Sequence, residues 1–180
     1  MSQFEYLAVF VAIIFGISVT HILAGLIRSI YRQQIEETHF VLTAFFFLVL
    51  ILNWWTGYSW QSQEVWSYGQ FLVIIIWSLA HYLAAITLYP PQAAGIEQPF
   101  EYRRNWFLWA FIGVAVTDIL QTTARGDVFT PKIYLPFVLH YVAVPLLVIF
   151  VNKPGLHRWL AWYLLLSIAI WSFAVRRFLA

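Results

Sequence analysis

The sequence predicts an all-α membrane protein in which six transmembrane helices form one bundle without a soluble domain. The 180-residue chain is 62% hydrophobic and 10% charged, with a mean hydropathy of +0.76. Soluble domains average about 25% charged residues, so lipid has to cover most of this surface. Six apolar runs of 17 to 21 residues fill the chain, enough to cross about 25–32 Å of bilayer as helices. Strands are not expected, because the runs lack the two-residue alternation of an outer-membrane barrel.

The predicted spans belong to a single transmembrane domain that covers residues 1–180. They are residues 7–27, 40–57, 71–89, 106–124, 133–151 and 159–175. The first run has no basic region before it and is too long for a signal-peptide core, so we expect it to be retained as a helix. Helix-breaking residues fall between the runs, as connections require: Gly69, Pro90, Pro91, Gly126, Pro131, Pro154 and Gly155.

The ten Lys and Arg residues lie in loops and at run ends, and they predict an orientation. With six spans, six of them lie on one side and four on the other, and none lies before the first span or between the second and third. The positive-inside rule therefore predicts that both termini are outside and that loops 28–39, 90–105 and 152–158 are cytoplasmic.

The fourth run is the least secure of the six. It alone contains an acidic residue, Asp118, which is followed by Gln121, Thr122 and Thr123. If this run does not cross, five spans place eight basic residues inside against two outside. The sequence favours six spans and leaves five as the alternative.

Three segments carry a resemblance to a known group. They are FEYLAVFVAIIFGISVTHILAGL at the start of the chain, NWW at residues 53–55, and YRRNWF at residues 102–107. With these segments the chain resembles a group of small multi-pass bacterial membrane proteins of unknown function. The resemblance implies a bacterial inner membrane as the location, and it implies no chemistry.

Several functional classes are not expected from the residues present. The chain has no cysteine, which excludes disulfides, thiolate metal sites and cysteine catalysis. It contains neither HExxH nor GxSxG, and no paired carboxylates occur in one layer of the spans. We therefore predict no catalytic residues and no metal site. The net charge of +2 reports orientation rather than nucleic-acid binding.

Four spans carry one strongly polar side chain each near mid-depth: Asn53, His81, Asp118 and His140. An ionised aspartate at mid-membrane costs about 2.5–3.5 kcal/mol on insertion scales, so Asp118 should face the bundle interior and find a partner. His81 and His140 are its predicted partners, because they lie at a similar depth. His21 lies nearer the cytoplasmic side and is predicted to be a packing residue.

The first span carries a series of small residues. Gly16, Thr20 and Ala24 recur every four residues and allow another helix to approach closely, and Gly25 lies beside this series. The sequence predicts that these four residues pack helices together inside the bundle.

These features favour a non-enzymatic accessory or interaction subunit of a membrane complex, in contact with lipid and with other membrane subunits or copies of itself. In this interpretation the polar side chains join helices. One alternative is a proton or small-ion conductor in which Asp118, His81 and His140 relay protons and Asn53 orients them. A second alternative is an electron-transfer subunit with one haem b between His81 and His140. No cofactor is expected under the first two interpretations.

Overall fold

The computed structural model describes residues 2–91, 99–151 and 153–175, and in these ranges the chain is all-helical, with no strand. Residues 92–98 of the predicted loop 90–105, Asn152 of loop 152–158, and Arg176 and Arg177 lie outside the described residues. The described helices are α1 Gln3–Tyr31, α2 Glu37–Gly57, α3 Tyr68–Leu88, α4 Phe100–Arg125, α5 Tyr134–Phe150 and α6 Pro154–Ile170. A 3₁₀ turn at Tyr58–Ser62 follows α2, and a π-helical turn at Trp171–Val175 follows α6.

Local sequence explains where several helices begin and end. Ser2 caps α1, and its hydroxyl accepts the backbone N–H of Glu5 at 3.1 Å while the Glu5 carboxylate accepts that of Ser2 at 2.8 Å. Ser67 and Gln70 form the same reciprocal capping box at the start of α3. Gly126 ends α4 with a φ of 91°, a left-handed conformation that glycine adopts without a Cβ penalty.

The prediction of an all-α protein with apolar helices of membrane length is confirmed. Within the described ranges, five helices are long and apolar enough to cross a membrane, and α5, with 17 residues, is shorter. The fourth run is better defined than the sequence predicts, because residues 106–124 lie inside the 26-residue helix α4. The helix that falls short is instead α5, which contains Pro145; α6 has the same 17 residues but continues into the π-helical turn to Val175.

The six helices pack in a ring in the order α1, α3, α4, α5, α6, α2, and α2 returns to α1. Consecutive helices run antiparallel. At one end, the Trp60 indole after α2 reaches Gln121 near the end of α4; we call this the Trp60 end. At the other, His39 at the start of α2 stacks on Phe100 at the start of α4, with ring centroids 4.1 Å apart. Arg104 lies one turn further along α4, so we call this the Arg104 end.

Aromatic side chains of α2 and α4 fill the middle of the ring. Phe45 lies edge-on to Phe111 with ring centroids 5.0 Å apart, and Phe46 lies edge-on to Phe107 at 5.6 Å. All four side chains are at most 2% exposed. Edge-to-face ring pairs add to the stabilisation that burial alone gives.

The outside of the bundle is apolar over most of its length. On α1, the exposed side chains include Val9, Ile13, Ile17 and Ile27, each at least half exposed. Similar side chains are exposed on α3, α4 and α6. An apolar surface of this extent exceeds what soluble monomers usually present to water.

Candidate functional site

Asp118 accepts hydrogen bonds from side chains of three helices. The Trp77 indole of α3 donates to Oδ1 at 3.1 Å, and the Gln121 amide of α4 donates to the same oxygen at 3.2 Å. The Tyr134 hydroxyl at the start of α5 lies 2.8 Å from Oδ2. We call these four residues the Asp118 cluster. Both carboxylate oxygens are therefore occupied by donors from the same chain.

Helical spacing on α4 builds one side of the cluster. Asp118, Gln121 and Thr122 lie three and four residues apart and so share a face. The Gln121 amide also donates to the Thr122 hydroxyl at 2.9 Å, while its oxygen accepts the Trp60 indole N–H at 2.9 Å. The cluster thus joins α3, α4, α5 and the turn after α2.

A small cavity lies beside the Asp118 cluster, between α2, α4, α5 and α6. Its volume is about 60 Å³, and its polar lining includes Asn53, Asp118, Gln121, Arg125 and Tyr134. One ordered water needs about 10–15 Å³ of such space, so the cavity can hold several waters. Asn53 and Asp118 form hydrogen bonds with other residues, and both line this space.

His81 is fully buried and is hydrogen-bonded through both ring nitrogens. Its Nδ1 lies 2.8 Å from the Trp77 carbonyl oxygen, which can only accept, so Nδ1 carries the proton. Its Nε2 lies 2.7 Å from the Asn53 amide nitrogen and therefore accepts from it. The ring packs against Phe15 and Phe46. His81 is consequently held as the neutral tautomer.

This arrangement does not fit a haem between His81 and His140. A haem ligand would have to be Nε2 of His81, and that lone pair is taken by Asn53. The imidazole is 0% exposed, with aromatic rings against its faces. Binding iron would require Asn53 and the surrounding rings to move.

His140 lies apart from His81 and Asp118 in the described contacts. Its Nδ1 donates to the carbonyl of Phe137 on the same helix, and its ring contacts Tyr141 and Tyr163, the latter on α6. Its Nε2 is buried without a hydrogen-bond partner in the described residues. The structure thus brings Asn53 and His81 together, and it brings neither histidine to Asp118.

Two of the histidines near the Arg104 end, His21 and His39, fix the end of α3. The His21 Nε2–H donates to the Tyr89 carbonyl at 2.5 Å, and the His39 Nε2–H donates to the Leu88 carbonyl at 3.1 Å. These carbonyls belong to the last residue of α3 and to its C-cap, where no further helical N–H is available to them. His21 has the packing role predicted for it, whereas His39 was not singled out from the sequence.

The small residues of α1 divide into two groups. Gly25 is buried, and a Cβ there would overlap the ring of Tyr89. Gly16, Thr20 and Ala24 are exposed, and a Cβ at Gly16 would meet nothing within 4 Å. The predicted packing series therefore faces away from its own bundle rather than into it, because the buried face of α1 is the one with Phe15, Ser18 and Ile22.

The sequence did not identify the partners of Asp118 or a second polar group at the Arg104 end. Trp77 and Tyr134 are aromatic, and such residues in apolar runs predict packing. Arg104 and His157 are buried against each other, with Nη1 of Arg104 2.5 Å from Nδ1 of His157. From the sequence, Arg104 counted only toward orientation. A basic residue just before a long apolar run is the signal that could have found it.

No group of three or more His, Asp or Glu side chains in the described ranges is arranged to hold a metal ion. A scan against protein-family models and searches of curated proteins and of solved structures find no match to this chain. The resemblance to small bacterial membrane proteins therefore stays a prediction.

Proposed function

We propose that this chain is an integral multi-pass membrane protein and acts, without catalysis, as an accessory or interaction subunit of a membrane complex. The main support for the proposal is that buried polar groups form their hydrogen bonds with neighbouring helices. Asp118 and His81 each use their polar atoms on neighbours in the chain, as the hydrogen-bonding groups of a structural bundle do. No group poised for chemistry has to be invoked for either residue.

The proposed location is the bacterial inner membrane, crossed six times with both termini outside. Five long apolar helices and an apolar outer surface support insertion. The 17 residues of α5 rise about 25 Å, close to the lower limit for a span. The basic residues of the loops support the orientation.

Orientation is testable because the chain contains no cysteine of its own. Glu64→Cys, between α2 and α3, should react with a membrane-impermeant maleimide in intact spheroplasts. Gln34→Cys, between α1 and α2, should react only after permeabilisation. The opposite pattern would reverse the proposed orientation, and labelling of both sites from one side would contradict a crossing by α2.

The accessory role is tested through the exposed small series of α1. In membranes solubilised with a mild detergent, we expect the tagged chain to run as part of a larger assembly of defined mass. Gly16→Leu should release it from that assembly, because the added side chain blocks close helix approach without touching its own bundle.

Gly113→Leu is the matched control, since it is also a helical glycine whose Cβ would meet nothing within 4 Å. A wild-type chain that purifies only as a monomer would contradict the accessory role. Equal release by both variants would show that the effect is not specific to α1.

A proton or small-ion conductor is the second candidate, and the cavity beside Asp118 favours it. Water in that space would connect the Asp118 carboxylate with Asn53, whose amide contacts His81. In liposomes with a pH gradient, a conductor requires that Asp118→Asn abolish the flux while the protein stays folded. Absence of flux through the wild-type protein, or an unchanged flux through the variant, would eliminate this candidate.

A further inference from the structure

A second polar cavity lies at the Arg104 end of the bundle, whereas the Asp118 cluster lies towards the Trp60 end. Its volume is about 270 Å³, several times that of the cavity beside Asp118. It lies between the starts of α2, α4 and α6. Among the described residues, its lining is mostly charged or polar and includes Glu36, Thr38, Glu101, Arg104, His157 and Arg158.

Arg104 is the buried cation of this cavity, with only 6% of its surface exposed. Its Nη1 donates to Nδ1 of His157 at 2.5 Å, and Nε2–H of His157 donates to the Val151 carbonyl at 3.0 Å. Because Nδ1 accepts and Nε2 donates, His157 is neutral and does not balance the charge. The histidine therefore positions the guanidinium and leaves it cationic.

The guanidinium of Arg104 is incompletely used. Among the described residues, its Nε has no hydrogen-bond partner and no carboxylate forms an ion pair with it, although Glu101, three residues earlier on α4, attracts it electrostatically. A buried cation that no carboxylate contacts directly is costly. An arginine offers a planar fork of donors that matches the oxygens of a phosphate. Nε itself is covered by the protein, so a ligand would approach the guanidinium from the cavity that Arg104 lines. A buried guanidinium at the wall of this space, without a contacting carboxylate in the described part of the chain, points to a bound oxyanion.

The other charges of the cavity restrict what this oxyanion can be. Arg158 already lies 3.3 Å from the carboxylate of Glu37, whereas Glu36 and Glu101 contribute negative charge to the wall. A purely anionic ligand would face both carboxylates. A ligand with a phosphate and a primary ammonium group satisfies Arg104 with the first and the glutamates with the second.

The surroundings of the cavity indicate a lipid as the source of this ligand. Tyr102, Trp106 and Trp159 lie on the same end of the bundle and are 74%, 72% and 77% exposed. Exposed Trp and Tyr side chains are typical of headgroup depth in a membrane. We propose that the cavity at the Arg104 end binds the phosphoethanolamine headgroup of a phospholipid. This inference rests on the membrane location proposed above, and not on the accessory role.

Native mass spectrometry of the intact chain tests the proposal. The protein is released from mixed micelles with equal amounts of phosphatidylethanolamine, phosphatidylglycerol and phosphatidylcholine. We expect phosphatidylethanolamine to be retained preferentially, and Arg104→Gln to reduce its retention by about tenfold or more, the effect of losing a charge-assisted hydrogen bond. Arg28→Gln, which removes an exposed cation near the end of α1, should leave retention unchanged.

Further arms address the ammonium group and the source of the ligand. Glu36→Gln combined with Glu101→Gln should abolish the preference for phosphatidylethanolamine over phosphatidylglycerol, and it keeps the test open if Arg104→Gln does not fold. Soluble phosphoethanolamine should displace the lipid only weakly, because it lacks the acyl chains. Displacement at an equal concentration would instead assign the site to a water-soluble phosphate ester and overturn the lipid proposal.

Equal retention of the three lipids by the wild-type chain, or undiminished retention by Arg104→Gln, would also overturn it. These outcomes are independent of the Gly16→Leu experiment. Lipid retention with no larger assembly would leave this site in place and remove only the accessory role. A larger assembly without a lipid preference would support the accessory role and remove the lipid site.

Discussion

Asp118 and Arg104 are both charged side chains of α4, yet their surroundings differ. Three donors from α3, α4 and α5 occupy the carboxylate of Asp118. The guanidinium of Arg104 contacts a neutral histidine and borders about 270 Å³ of space, and its buried Nε has no hydrogen-bond partner in residues 2–91, 99–151 and 153–175. In the described part of the chain, the hydrogen bonds of the first region are complete, whereas the second keeps a donor without an acceptor.

This difference separates two uses of polar residues in an apolar bundle. A charge with all its hydrogen bonds made inside the chain holds helices in register, and its removal should affect folding. Removal of a charge that has an unused donor beside a cavity should affect ligand binding more than folding. The variants below test this separation, from the largest expected change in stability to the smallest.

Asp118→Ala should cause the largest loss. It leaves the Trp77 indole without an acceptor and weakens the hydrogen bonding of Gln121 and Tyr134, all of them buried. At about 1–3 kcal/mol for an orphaned buried donor, we expect a loss of about 2–4 kcal/mol. Thermal unfolding in detergent, followed by fluorescence of the ten tryptophans, measures this loss of stability.

Asp118→Asn is the control, because it keeps an acceptor oxygen, and it should lose less than half as much stability. Equal losses would place the effect in the charge rather than in the hydrogen bonds.

Gly25→Ala should cost about 1–3 kcal/mol, because its Cβ would overlap the base of the Tyr89 ring, which cannot rotate away. Tyr89 packs on His39, which stacks on Phe100 in the cavity wall. The variant should therefore weaken lipid retention as well as stability. Gly16→Ala, where the Cβ meets nothing, is the control and should leave both unchanged or raise helix stability slightly. A similar loss in both glycine variants would contradict the packing explanation.

Arg104→Met should change stability by less than about 1 kcal/mol in lipid-free detergent. Replacing a poorly compensated buried charge by an apolar side chain of similar length is often neutral or stabilising. When phosphatidylethanolamine is added, the unfolding midpoint of the wild-type chain should rise, whereas that of the variant should stay constant. A large loss without lipid would mean that Arg104 is structural, like Asp118.

Tyr141→Phe should have the smallest effect. Its hydroxyl forms one hydrogen bond between α5 and α6, 3.0 Å from the hydroxyl of Ser167. Interhelical hydrogen bonds in membrane proteins average about 0.6 kcal/mol, because the unfolded chain in lipid also finds partners. The same unfolding assay should show a shift of that size. A loss comparable with that of Asp118→Ala would mean that a single hydrogen bond stabilises this bundle as much as the Asp118 cluster does.

Hydropathy was sufficient to locate the helices, because apolar side chains continue over each of the six runs. It underestimated their lengths where polar residues extend a helix, as at Phe100–Asn105, which precede the predicted fourth span. Asp118 was identified because a carboxylate is rare in an apolar run. Its partners were not, since the sequence does not specify which faces of α3 and α5 meet α4. The same limit explains the outward-facing Gly16 series and the unpredicted contact between Arg104 and His157.

The order of the ring has a consequence for how the protein is made. α2 packs more extensively against α6 than against either of its neighbours along the chain, and Glu37 at its start contacts Trp162 and Arg158 of α6. A ribosome supplies α2 early and α6 after the other five helices. Until α6 has been synthesised, the side of α2 that will pack against it must therefore be covered by lipid, the insertion machinery or a chaperone. Closure of the ring is a late event, and it follows synthesis of residues 154–170.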